Sequence, residues 1–237
     1  MIAGTILATA ASASAAVNLV SNGSFEINSG SGQIGSPSTV ADWSVPSGGY
    51  TWVYTSAASA QAGAPGQYGP LSLWGPNNGS ANGLTESPDG GSFIAQDSAF
   101  QNQPIQQTVG GLTIGNSYNV SFYWAASQQT GYYTASYDNW QVSLGAQSFT
   151  TSTLNIPAEG FSGWQQQTFT YTATSTSEVL SFFANGGPPG VPPFALLDGV
   201  SLTSAVPEPS TLVAGAAVLL PVAAGLFRSR NRRQNKA

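Results

Sequence analysis

The chain has no cysteine and no histidine. Without cysteine there is no disulfide, no thiol nucleophile and no thiolate metal site. Without histidine the commonest general base and the commonest transition-metal ligand are missing, and a serine hydrolase loses its usual proton carrier. The other cationic side chains are nearly as scarce. The five basic residues, Arg228, Arg230, Arg232, Arg233 and Lys236, all lie in the last ten positions, and nothing before them is basic. Charged residues make up 6% of the chain and aromatics 11%, so Ser, Thr, Asn, Gln and Gly must cover most of the surface. Such a neutral-to-acidic surface cannot neutralise phosphates, which argues against nucleic acid as a partner.

What is present is concentrated at the two ends. Just ahead of the basic cluster runs an uncharged apolar segment, Thr211 to Phe227. As a helix it would span roughly 25 Å, the short limit for a bilayer core. A soluble helix would show a polar face, and this one shows none. The arginines would hold the C-terminus in the cytoplasm by the positive-inside rule, leaving the rest of the chain outside. Before the segment stands Val206-Pro207-Glu208-Pro209-Ser210. Its prolines fix an extended backbone, which suits presentation to the groove of a processing enzyme.

This order of short motif, apolar segment and Arg-rich end resembles the PEP-CTERM sorting signal of Gram-negative bacteria, also catalogued as an ice-binding-protein C-terminal domain. The resemblance implies an exosortase-type transpeptidase as partner. It also implies transient residence in the inner membrane, release to the cell surface or extracellular matrix, and association with exopolysaccharide and biofilm. The chain would be the substrate of that enzyme. A permanently anchored protein whose Pro-Glu-Pro is never cut is the rival reading of the same residues.

Residues 1–16, MIAGTILATAASASAA, are small and apolar, and Ala13-Ser14-Ala15 fits a small-x-small cleavage site. A positive leading region is missing. The expectation is a signal peptide truncated by a start placed too far downstream, or else an atypical one. The expected organisation is a signal peptide at 1–16, one domain at 17–205 and a sorting region at 206–237. That last region divides into the motif 206–210, a single transmembrane-type helix 211–227 and a basic cytoplasmic end 228–237.

The middle domain is long enough to bury a core without staples. Apolar residues alternate in short runs: Tyr118, Val120, Phe122 and Trp124, then Trp140, Val142 and Leu144, then Phe169 and Tyr171, then Leu180 and Phe182. Leu196, Val200 and Leu202 are expected on one face of a last strand. Further strands are expected near 17–20, 50–54, 92–96 and 105–109. No amphipathic helix stands out before residue 206, and 28–48 and 55–91 read as long loops. Many short alternating strands with turns between them predict an all-β, antiparallel β-sandwich of the jelly-roll type.

Asn18-Leu19-Val20 with Asn22-Gly23-Ser24-Phe25-Glu26 resembles the opening of carbohydrate-binding modules of the galactose-binding-like jelly roll. Ile105-Gln106-Gln107-Thr108-Val109 resembles their middle strands, and Phe194 to Leu202 their closing strand. In those modules the Glu after the Asn-Gly-x-Phe motif and an Asp of the closing strand hold one structural calcium ion, which the resemblance places at Glu26 and Asp198. Where such modules carry a second Asp, this chain has Gly199. Period-2 counting puts Asp198 on the core face, with no cation in the domain to pair with it. Oxygen ligands around calcium would answer that. A bulge turning Asp198 to solvent, or capping of its carboxylate by backbone N–H groups, would answer it equally.

Aromatic residues in or near the polar loops include Trp43, Tyr50, Trp52, Tyr54, Trp74, Tyr132, Tyr133 and Tyr137. Flat rings flanked by Asn, Gln and Asp are what sugars stack on. Tyr132, Tyr133, Tyr137, Trp52 and Trp74 are the expected ligand-binding residues, with plugging of the core as their alternative role. Catalysis finds no support: the acids fall in no motif, and a glycosidase needs two carboxylates at a set separation. The expected role is that of a non-enzymatic exported protein that binds or scaffolds exopolysaccharide. A purely structural surface protein without a ligand is the rival from another class. Ice binding would need a regular Thr-rich face, and no such periodicity exists.

Overall fold

The computed structural model describes residues 16–205. The expected signal peptide and the expected sorting region, with Val206, Pro207, Glu208, Pro209, Ser210 and the helix expected at 211–227, lie outside the described residues. Among the described residues no helix is long and apolar enough to cross a membrane.

The strands follow from alternation. In β5 (Ser117–Gln128) Tyr118, Val120, Phe122 and Trp124 all point inward, because successive strand residues face opposite ways. β6 (Ser136–Leu144) does the same with Trp140, Val142 and Leu144, and β10 (Ser177–Gly187) with Leu180, Phe182 and Ala184. The other strands are β1 (Gly32–Gln33), β2 (Thr51–Tyr54), β3 (Phe93–Asp97), β4 (Ile105–Gly110), β7 (Gln147–Thr150), β8 (Leu154–Ile156), β9 (Gln165–Thr172) and β11 (Pro193–Ser204). All the strand pairings are antiparallel.

They form two sheets. One runs β1-β2-β3-β11-β5-β9 and the other β4-β10-β6-β7, with β8 on β6. The main core lies between them and is a β-sandwich interior rich in rings. Phe182 sits edge-on to Phe122 (5.1 Å) and to Trp140 (6.1 Å), and Trp43 links Phe182 to Phe25. Two buried polar handles tie one sheet to the other. The Trp140 indole N–H donates to the Leu196 carbonyl (3.1 Å), and the Tyr171 hydroxyl donates to the Val142 carbonyl (2.8 Å).

Three sequence expectations need correcting. Residues 17–20 are not a strand; a single backbone bond, Leu19 N–H to Leu202 O at 2.8 Å, lays them along β11. Residues 55–91 are not an open loop. They contain a short helix, α1 (Ala57–Ala62), started by a capping box between Ser56 and Ser59. They also bury Ala60, Ala64, Leu71, Leu73 and Leu84 against Trp52, Tyr54, Phe93, Phe194 and Leu196 on the outer face of the six-stranded sheet. The sandwich thus has a second core, which the sequence hides because its apolar residues are few and spaced by Gly and Pro.

The third correction concerns β11. Its pairing with β5 shifts register between Asp198 and Ser201, and Gly199 adopts φ +57°. A bulge of this kind inserts a residue and reverses which way the following side chains face. Leu196 therefore faces the second core, while Val200 and Leu202 face the main one. Counting forward from Leu196 by two, Asp198 lies on the outer face with it. Gly199 is required there twice over: by its positive φ, and because a Cβ would come 2.9 Å from the Tyr123 ring.

Candidate functional site

The outer face of the six-stranded sheet ends in a cleft of about 520 Å³. Its floor is Tyr50, which immediately precedes β2, and Asp97, the last residue of β3. The turn after β3 supplies Ala99 and Phe100, the segment after α1 supplies Tyr68, and the β5–β6 connection supplies Gln129 and Tyr132. Pro189, Gly190 and Pro192 of the β10–β11 connection close the far wall.

Each ring is held by something identifiable. Tyr50 is buried edge-on against Trp52 (4.0 Å, 77°), and its main chain bonds both neighbours, Asp97 N–H to Tyr50 O and Tyr50 N–H to Gln101 O, each at 3.1 Å. Phe100 is 46% exposed and meets the Tyr50 ring edge-on at 5.3 Å. Tyr68 is 64% exposed and lies 6.0 Å from Tyr50 and 6.1 Å from Phe100. A Gln101 side-chain N–H donated to the Tyr68 hydroxyl (3.0 Å) steadies it. The three ring centroids form a triangle, with Tyr50 buried and Tyr68 and Phe100 exposed.

Asp97 gives the cleft its charge. Its Oδ1 accepts the backbone N–H groups of Ala99 (2.8 Å) and Phe100 (3.0 Å), which fixes the turn. Its Oδ2 takes no hydrogen bond from any described residue. Burial pushes the Asp97 carboxyl up to about 6, against the pull of those two N–H groups. Behind it, fully buried Asp138 accepts a hydrogen bond from the Ser98 hydroxyl, and its Oδ2 has no partner. Burial raises the Asp138 carboxyl well above the usual range despite the Ser98 bond, and the Asp97 charge adds to it. Asp138 does not line the cleft, so the two carboxylates do not flank a common ligand position.

The expected ligand residues divide. Tyr132 lines the cleft. Tyr133 is 66% exposed but packs beside Trp74 (5.5 Å) rather than into the cleft, and Tyr137 is partly exposed at the start of β6, against Gly187. Trp52 and Trp74 must be corrected. Trp52 is wholly buried in the second core, and Trp74 is buried with its indole N–H donated to the Tyr132 carbonyl (3.0 Å), so neither offers a face to a ligand. Trp74 instead carries the Tyr132 loop. Tyr68, Phe100 and Asp97 were not foreseen. The only signal was an aromatic residue inside a turn, belonging to no alternating run.

Glu26 and Asp198 are brought together, though neither lies near the cleft. The Asn22–Phe25 turn docks on the β11 bulge through Val200 N–H to Gly23 O (2.9 Å), and Phe25 fills the main core. Gly23 must be glycine, because a Cβ there would sit 1.9 Å from the Val200 carbonyl oxygen. Exposed Glu26 accepts from Ser92 N–H (2.6 Å) and the Ser92 hydroxyl (3.2 Å). Asp198 is fully buried under the 87–92 segment, taking the Ser87 hydroxyl on Oδ2 and Gly199 N–H (2.7 Å) on Oδ1. Burial pushes the Asp198 carboxyl up to about 8; those two bonds oppose it, and the Asp89 and Glu26 charges reinforce it. Among the described residues no group of three acidic side chains is placed to hold a metal ion by itself.

No family model matches the chain, and no curated protein matches it. Solved structures to which the chain is similar include the CBM22-1 xylan-binding domain from Paenibacillus barcinonensis Xyn10C, at 12% identity over 83% of this chain and 100% of that one, with a TM-score of 0.40. The N-terminal cellulose-binding domain of Cellulomonas fimi β-1,4-glucanase C shares 21% identity over 59% of this chain and 86% of its own, with a TM-score of 0.32. The C-terminal CBM6 of LamC from Zobellia galactanivorans shares 10% over 65% and 98%, also with a TM-score of 0.32. At these scores the likenesses carry nothing about ligand or site.

Proposed function

We propose that the protein is an exported glycan-binding protein, delivered to the cell surface or matrix through its C-terminal sorting region. There it holds exopolysaccharide in the cleft of Tyr50, Tyr68, Phe100 and Tyr132. The observation that carries this reading is the pair of exposed rings, Tyr68 and Phe100, packed on buried Tyr50 in one cleft with the Asp97 carboxylate and Gln129. Pyranose rings bury their C–H faces on aromatic rings, while hydroxyls donate to carboxylate and amide oxygens. Both requirements are met within one concave site, as small-ligand sites require. A panel of immobilised glycans tests the reading. Binding to a subset is expected, together with its several-fold weakening in Phe100→Ala. Binding to none would leave a structural surface protein as the better account.

We also propose that Asp198 and Glu26, with backbone carbonyls and water, hold one structural calcium ion. The support is the buried, uncompensated Asp198 carboxylate, with Asp89 and Glu26 close enough to raise it further. Each carboxylate oxygen keeps a free lone pair, and the donors are all hard oxygens, which suits calcium and not a soft metal. Calcium at a hundredfold excess over its dissociation constant would add about 2.7 kcal/mol, a rise of roughly 5–10 °C in Tm for a domain of this size. Asp198→Asn should abolish the rise. An unchanged Tm after chelator stripping would show that Ser87 and Gly199 alone satisfy the carboxylate.

A further inference from the structure

The described domain carries nine carboxylates, from Glu26 to Asp198, and no Lys, Arg or His. Wherever a ligand binds, it meets no positive side chain. In the cleft this has a specific consequence. Asp97 Oδ1 is tied to two backbone N–H groups, Oδ2 takes no hydrogen bond from a described residue, and Asp97 lines the same cleft as Tyr50, Tyr68 and Phe100. Three rings whose centroids lie 5.3 to 6.1 Å apart pack into one aromatic cluster, of which Tyr68 and Phe100 are exposed. The negative face of an aromatic ring attracts a cation within about 6 Å of its centroid. A carboxylate in the same cleft supplies the counter-charge, and a hydrogen bond between ionised partners is about twice as strong as one between neutral groups.

Resting on the reading of this cleft as a glycan site, we infer that its preferred ligand is a cationic amino sugar, a chain of 2-amino-2-deoxyhexose units whose amine is free and protonated. The ammonium sits over the Tyr50–Tyr68–Phe100 triangle and donates to Asp97 Oδ2. The sugar ring lies against Tyr132, Pro189 and Pro192. A neutral sugar uses the rings but leaves the carboxylate with ordinary hydroxyl donors. A uronate or sulfated chain brings a second negative charge to a site without any cation to answer it, and is rejected. The net negative domain adds a long-range attraction that a polycation would feel and that salt would screen.

The test uses the purified full chain in mild detergent at low salt. The probes are three hexamers: glucosamine with its amine free, at a pH where that amine is protonated; N-acetylglucosamine, with the same linkage and no charge; and glucuronate. The free-amine hexamer should bind at least tenfold tighter than the acetylated one, and the glucuronate hexamer should not bind. Asp97→Asn retains the Oδ1 acceptor that fixes the turn, and should bring the ratio of the first two affinities close to one. Phe100→Leu keeps an apolar group at this exposed position and removes the ring, so it should lower the same ratio several-fold. Equal binding of the charged and acetylated hexamers overturns the inference and leaves the glycan reading standing. Preference for glucuronate overturns it as well. Binding of none of the three, nor of any glycan on the panel, overturns both.

Discussion

Without added calcium, the protein should be most stable in mild acid and should lose stability steadily as the pH is raised from about 4 to 8. The sign follows from Asp97 and Asp138. Burial raises both carboxyls in the folded state. Between the unfolded value near 4 and the higher folded values, the native state binds more protons than the unfolded one, and stability therefore falls as pH rises. Asp97, raised from 3.8 to about 6, accounts for about 3 kcal/mol of this on its own. Its share is present below about pH 4 and gone above about pH 6. Asp138 extends the loss to higher pH, and metal-free Asp198 works in the same direction. Repulsion among carboxylates with no cation in the domain acts in that direction too. A Tm higher at pH 5 than at pH 8 by on the order of 10 °C is expected. Asp138→Asn keeps a polar group beside Ser98 and should flatten the profile. A Tm that is level or rising over that range would show that these carboxylates are compensated in a way the hydrogen bonds do not reveal.

The second large effect is all-or-none and concerns delivery. Replacing Pro207, Glu208 and Pro209 with alanine should leave the apolar segment and the Arg-rich end able to hold the protein in the inner membrane, while removing the rigid element offered to the processing enzyme. The proposed sorting route then predicts accumulation of uncut protein in the membrane fraction, and the same result for the unaltered protein in exosortase-deficient cells. C-terminal mass spectrometry distinguishes the outcomes. If the unaltered protein is itself found uncut in the inner membrane of ordinary cells, it is a permanent anchor and the sorting route is wrong.

The sequence revealed the main sandwich where one strand face is buried and the other is not. The alternation through Tyr118–Trp124 and Trp140–Leu144 is a direct image of that asymmetry. It misled at Leu196–Leu202, where the Gly199 bulge reverses facing partway along the strand, so that a single period-2 count could not hold. β7 and β8 escaped notice because they are short edge elements with little buried surface. The second core escaped because α1 has only six residues and its neighbours are irregular.

The candidate site was visible in part. Tyr132 was singled out for its polar surroundings, and Glu26 and Asp198 were paired by their motifs. The cleft itself joins Tyr50, Tyr68, Asp97, Gln129 and Pro189, which lie far apart in the chain and share no spacing. Their meeting is a product of how β2, β3 and the β5–β6 and β10–β11 connections end on one side of the sheet. The same local polarity that pointed to Tyr132 pointed wrongly to Trp52 and Trp74, since a tryptophan beside glycines can as readily fill a core as face solvent. Only burial separates the two.

The account rests most heavily on the ring triangle being a glycan site. Binding isotherms on polysaccharide purified from the producing cells, for the unaltered protein and for Tyr68→Ala and Phe100→Ala, test this directly. Both side chains are exposed enough to be removed without opening a core. Removing a ring that covers about 40 Å² of sugar face costs roughly 1 kcal/mol at about 25 cal/mol per Å² of apolar surface. Affinity should therefore fall several-fold in each variant and beyond detection in the double variant, with Tm unchanged. Unaltered binding in the double variant would place the polysaccharide elsewhere on the protein and remove the function proposed for this cleft.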